Sequence, residues 1–186
     1  MAREDIGRKL SGEVEVDGAY FGGYVKPANS KTERRDRRLS ENRSGKRQVV
    51  VVGRERDGQS LAIVAKSEAL GGEVVAATIH HMSTVHADEA SHWDALHARF
   101  DTRRINHSKT YSDGFACTNQ AESFFSRLRR MEIGTHHHIA GPYLASYAWR
   151  EDNRRVHNGG QAAMVAVAAM DAPVSRQWKG YWQRSA

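Results

Sequence analysis

Hydrophobic and polar residues alternate along Glu13-Val-Glu-Val-Asp17, placing Val14 and Val16 on one face of a strand and Glu13, Glu15 and Asp17 on the other. The Gly22-Gly23 pair closes that segment. Gln48-Val-Val-Val-Val-Gly53 does not alternate, and such a β-branched run suits a strand buried on both faces. An Asp57-Gly58 turn then leads to Ser60–Ala65, a third strand, so the three segments form an antiparallel meander. A helix is expected over Glu73–His81, followed by a short strand, Ser83–Ala87, that ends at Asp88. A helix near Ser91–Phe100 and a brief strand over Thr102–Asn106 come next. Two helices, Thr118–Met131 and Pro142–Val156, complete the pattern. Three strands followed by alternating helices and strands predict an α/β fold with a mixed sheet.

Charge changes the picture mainly through where it sits. The 186 residues carry 28 Lys+Arg against 22 Asp+Glu, a formal balance of +6 that points weakly to a polyanionic partner. Nine of those cations fall between Lys26 and Arg47, a stretch with only three acids and almost no large apolar residue except Leu39. Such a segment cannot bury enough surface to order itself. Two readings stand for it: a solvated linker, or an arm that orders on DNA phosphates. No apolar run approaches the ~20 residues that span a bilayer, and the start of the chain lacks the apolar core of a signal peptide. One cysteine, Cys117, leaves no internal disulfide, and a reduced compartment is expected.

Three carboxylates stand where this layout can bring them together. Asp17 lies on the polar face of the first strand, and Asp88 lies at the C-terminal end of the fourth, where α/β sheets build their sites. Glu122 lies on a helix whose apolar stripe is Ala121, Phe124, Phe125 and Leu128, with Asn119, Glu122, Ser126 and Arg129 opposite. Clustered carboxylates repel one another and call for a cation, and their hard oxygens select Mg²⁺ or Mn²⁺. Taken singly, an Asp at a strand end is a turn or cap residue and a Glu on a helix is solvated.

The spacing of these acids resembles a known family, the DDE-type transposases of insertion sequences, whose catalytic domain is ribonuclease H-like. The third motif of the branch it resembles, Asn-x-x-Glu with a basic residue seven positions on, reads here Asn119-Gln-Ala-Glu122-Ser-Phe-Phe-Ser-Arg-Leu-Arg129-Arg130. The first reads Gly12-Glu-Val-Glu-Val-Asp17-Gly-Ala-Tyr-Phe-Gly-Gly23, and the second Ser83-Thr-Val-His-Ala-Asp88-Glu, with 33 residues between Asp88 and Glu122. Ile105-Asn-His-Ser-Lys-Thr-Tyr111, and Gly134-Thr-His-His-His138 running to Arg150-Glu-Asp-Asn-Arg-Arg155, also resemble the family, so the likeness covers roughly residues 12–158. Departures are Gly18, where such proteins often carry an acid, and Arg129, where Lys is commoner. The family's N-terminal recognition region is also expected to be lacking, since the chain starts 16 residues before Asp17.

The resemblance implies a ribonuclease H-like α/β fold, with a leader over 1–12, a catalytic domain over 13–158 and a C-terminal helix and tail over 159–186. A basic insertion loop would occupy about 24–47 of that domain. It implies metal-dependent cleavage of DNA followed by strand transfer, with two Mg²⁺ or Mn²⁺ ions held by Asp17, Asp88 and Glu122, and with Asn119 taking part beside Glu122. DNA would be gripped by Arg127, Arg129 and Arg130 and, from the basic loop, by Arg34, Arg35, Lys46 and Arg47. His107 and Lys109 are further candidates, although His107 is equally a histidine bonded within the fold. The partners implied are double-stranded DNA, both element ends and target, and further copies of the chain assembled on it. A bacterial, cytoplasmic, DNA-associated protein with no membrane and no nucleotide cofactor is expected. The alternatives are a nuclease of the same fold that cuts without joining, and a truncated, catalytically idle DNA-binding remnant.

Other features point elsewhere and carry less. His136-His-His138 lacks the usual zinc spacing, and Gly22-Gly23 and Gly71-Gly72 lack the Lys-Ser/Thr of a phosphate-binding loop. Cys117 has no neighbouring histidine in sequence to activate it. The apolar stretch Ala162–Met170 is expected as a helix packed on the core or on a second subunit. The tail beyond it, with Trp178, Tyr181 and Trp182 among basic residues, reads as a docking segment or a base-stacking one.

Overall fold

The computed structural model describes residues 9–22, 47–105, 117–136 and 139–171, without the side chain of His136. Five strands form one sheet: β1 (Glu13–Phe21), β2 (Gln48–Glu55), β3 (Ser60–Ala65), β4 (Thr84–Asp88) and β5 (Asp101–Ile105), in the order β3-β2-β1-β4-β5. β1, β2 and β3 pair antiparallel as the meander predicted, whereas β1–β4 and β4–β5 are parallel. Four α-helices accompany them: α1 (Glu68–Ala77), α2 (Asn119–Met131), α3 (Gly141–Asp152) and α4 (Asn158–Asp171). The segment Ser91–Ala98 is a 3-10 helix rather than an α-helix.

The period-two pattern of the strands divides the core into two layers. On one side Val14, Val16, Val49, Val51, Val85 and Ala87 pack with α1 and with Trp93 and Leu96 of the 3-10 helix. On the other, Ala19, Phe21, Val50 and Val52 pack with Ala121, Phe124, Phe125 and Leu128 of α2 and Leu144, Tyr147 and Ala148 of α3. Interior strand β2 is therefore buried on both faces, as its unbroken valine run requires. Burying four such valines contributes roughly 1.5–3 kcal/mol each. A mixed sheet with helices on both faces is the ribonuclease H-like α/β architecture.

Three expectations need correction. The first helix begins at Glu68, five residues before the expected Glu73, because Ser67 caps it by accepting the Leu70 N–H. Gly71 and Gly72, unpromising inside a helix, are what let it lie close: a Cβ on Gly71 would stand 2.4 Å from Val51 Cγ2, and one on Gly72 2.8 Å from the Trp93 ring. α4 forms where the apolar Ala162–Met170 stretch predicted a helix, but none of its residues is buried, so it does not pack on the core. Met164, Val165, Val167 and Met170 face outward. The Pro142–Val156 helix of the pattern ends at Asp152.

Candidate active site

Strand register sets the first pair of carboxylates. Glu15 stands opposite His86 at the end of the paired stretch of parallel β1–β4, and Asp17 and Asp88 each lie two residues further along their strands. Both point to the side covered by α2, because their neighbours Val16 and Ala87 pack on the opposite face. The face that looked polar in sequence is thus an interior, lidded by a helix. Asp17 Oδ1 accepts the Gly18 N–H at 2.7 Å, and Asp88 Oδ1 accepts the Ala90 N–H at 3.0 Å, which turns the chain away at the end of β4.

The placement of α2 brings the third. Its buried stripe is Ala121, Phe124, Phe125 and Leu128, leaving Glu122 and Arg129 exposed on one shoulder. Thr118 supplies no side-chain cap to this helix. The fully buried Glu15 does so from β1: its Oε2 accepts the Gln120 N–H at 2.8 Å and the Ala121 N–H at 3.1 Å. A carboxylate there also meets the positive end of the helix dipole. Arg56 Nε lies 3.2 Å from Glu15 Oε1, so the charge that holds the helix is itself paired. Glu15 and Asp17 share one face of one strand, so the anchor and the site are built into the same three residues.

The charges of other acids reach Asp17. The Asp17 carboxyl is pushed up to about 7, by burial first and then by the negative charges of Asp88, Glu122 and Glu68, against the Gly18 hydrogen bond that lowers it. Three carboxylates from three other elements are therefore near enough to repel Asp17 across a partly dry space. Among the described residues, no three His, Cys, Asp or Glu side chains stand close enough together to enclose an ion as they are placed.

Residues 9–152 match the ISXO2-like transposase domain. The chain belongs to this transposase family. No curated protein and no solved structure matches it.

In this transposase domain the acids whose charges reach Asp17 offer carboxylate oxygens, donors of the kind a hard divalent ion takes. Glu68 is the member that sequence reading missed. It is the first residue of α1, on the opposite layer from α2, and its side chain occupies the space over Gly18, where a Cβ would meet its Cγ at 2.8 Å. Glu68 Oε2 also lies 3.5 Å from His92 Nε2. The signals for it were Ser67-Glu68 as a helix start, and Gly18 as the gap it fills.

The predicted cations stand in different places. Arg129 stacks over the Phe21 ring, 5.4 Å from its centroid, and Arg47 lies 5.7 Å from the centroid of Tyr20. Both therefore sit at the C-terminal end of β1, beyond Asp17. Arg130 is exposed, with Nη2 at 3.5 Å from Ser126 Oγ. Arg127 does not share the shoulder of Arg129, and its Nε is committed to Glu151 Oε2 at 2.7 Å. Asn119 opens α2, exposed, one turn before Glu122. Arg34, Arg35, Lys46, His107, Lys109, the His136–His138 side chains and the Trp178–Trp182 tail lie outside the described residues. Burial and then the Glu15 charge raise the Cys117 thiol pKa, which disfavours the nucleophilic thiolate. No helix among the described residues is long and apolar enough to cross a membrane.

Proposed function

We propose that this transposase domain cuts a DNA strand at the end of a mobile element and joins the freed 3′-hydroxyl to target DNA. The observation that supports the reading is that Asp88 and Glu122 stand near enough to the half-buried Asp17 for their charges to raise its pKa, with α2 tied to β1 by Glu15. Asp17 and Asp88 would hold two Mg²⁺ or Mn²⁺ ions from the sheet side, and Glu122 would turn in from α2 to complete the set. When bound, such ions activate a water or a 3′-hydroxyl and steady the leaving oxygen.

This chain's own residues do the rest. Glu15 fixes α2 so that Glu122 and Asn119 present one edge to the carboxylates. Arg129, held against Phe21, offers a bidentate fork to a phosphate beside the reacting bond, where Lys would offer a point charge. Arg47 and Arg130 extend that grip. Two element ends must be joined together, so we infer a homo-oligomer assembled on DNA, in the bacterial cytoplasm.

Asp88→Ala tests the reading. It should abolish Mg²⁺-dependent nicking and joining of labelled duplexes, yet bind duplex with an affinity within about twofold of the unmodified protein, since a carboxylate neutralises no phosphate. Retained joining would remove Asp88 from the chemistry, and nicking without joining by the unmodified protein would make it a nuclease.

A further inference from the structure

On the other shoulder of α2, away from Glu122, a cleft of about 370 Å³ opens between the β2–β3 turn and the C-terminal end of α3. Gln120, Ser123 and Arg127 form its α2 wall, Arg54 lies at its base on β2, and Arg154 and Arg155 stand on the segment after α3. Five arginines and three acids line it; the fifth arginine, Arg56, pairs with Glu13 and Glu15, Asp57 is exposed on the β2–β3 turn, and the other two acids are engaged with the walls. Asp152 accepts the Ser60 N–H at 3.0 Å and the Ser60 hydroxyl at 2.8 Å, and Glu151 holds Arg127. Arg154 and Arg155 are exposed, and among the described residues neither has a carboxylate within ion-pair distance. Arg127 and Arg154 are also close enough to Arg54 to add to the burial that lowers its pKa.

We propose that this cleft binds the phosphate backbone of duplex DNA, at phosphates other than the one the carboxylates act on. Surplus guanidinium charge in a concave polar site calls for an anion, and planar forks match phosphate oxygens. Among the described residues no aromatic ring lines the cleft, so it offers no platform on which to stack a base. The arginines are also pre-placed: Gln161 Nε2 donates to the carbonyls of Asn153 at 3.1 Å and Val156 at 2.8 Å, tying down the segment that carries them. α2 thus acts as a partition, with carboxylates on one shoulder for a reacting strand and arginines on the other for a held one.

The choice of DNA as the anion rests on the transposase reading, and the test separates the two. Binding of a fluorescent duplex of arbitrary sequence is measured from low to high salt for the unmodified chain, for Arg154→Ala/Arg155→Ala, and for Lys9→Ala/Arg99→Ala. The last pair removes two exposed charges that do not line the cleft. The cleft variant should bind about tenfold or more weakly at 0.1 M salt, and its log K against log salt should be shallower by about 1.8, two phosphates at about 0.9 each. Arg154→Lys/Arg155→Lys should restore the slope, and Lys9→Ala/Arg99→Ala should leave it unchanged. Because the cleft arginines are exposed, circular dichroism should show the variant folded. Equal affinity and slope for the cleft variant and the unmodified chain would overturn the cleft while leaving the transposase reading intact. Failure of the unmodified chain to bind duplex would overturn both.

Discussion

Asp17 is held where ionisation is costly. Burial does most of this, the three neighbouring carboxylates add to it, and a single N–H at 2.7 Å offsets part, leaving the pKa at about 7. In an unfolded chain an aspartate titrates near about 3.9. Between those values the folded state binds the extra proton, so stability present below about pH 4 is lost as pH rises through 7. With a chelator present, Asp17→Asn should therefore raise Tm by several °C at pH 8 and change it little at pH 4. A shift of equal size at both pH values would mean that Asp17 carries no such strain. A divalent cation is the other way to relieve it: Mg²⁺ should raise the Tm of the unmodified protein at pH 8 and leave Asp17→Asn unmoved.

Among the elements, α2 and α1 depend on two contacts that replace local propensity. Removing the Glu15 carboxylate strands two helix N–H groups and leaves Arg56 short of a buried partner. Glu15→Ala should cost about 3 kcal/mol or more in urea unfolding, and a cost under ~1 kcal/mol would show that α2 is held by its apolar stripe alone. Gly71→Ala sets two effects against each other. Helix propensity gains about 1 kcal/mol, but a methyl 2.4 Å from Val51 Cγ2 overpacks the interface by about 1–3 kcal/mol, so net destabilisation is expected. The same residues explain what the sequence could and could not show. α2 was readable because its four buried residues recur at helical spacing, and β2 because four valines run together. α1 was misplaced because what binds it to the sheet is the absence of side chains at Gly71 and Gly72, which leaves no periodic apolar signal; its capping pair Ser67-Glu68 was the better guide.

Across the whole molecule the sheet sorts function by side and by edge. The parallel β1–β4 pair delivers two aspartates to one end, and α2 separates them from the arginine cleft. Asp17, Asp88 and Glu122 could be picked out because a strand, a strand end and a helix stripe each fix the direction of one side chain. The cleft could not, since Arg54 and Arg155 stand about a hundred positions apart and meet only through the packing of α3 on β3. Glu68 escaped for a related reason: it reaches Asp17 from the far layer, over a residue with no side chain. The convergence of these carboxylates on bound divalent ions is the claim on which the function stands, and iron-directed cleavage tests it most directly. Fe²⁺ bound in place of Mg²⁺, with ascorbate and peroxide, should cut the polypeptide near residues 17, 88 and 122 together, and excess Mg²⁺ or Asp17→Asn should suppress all three cuts. Cuts at one of these positions alone, or elsewhere in the chain, would contradict a shared metal centre.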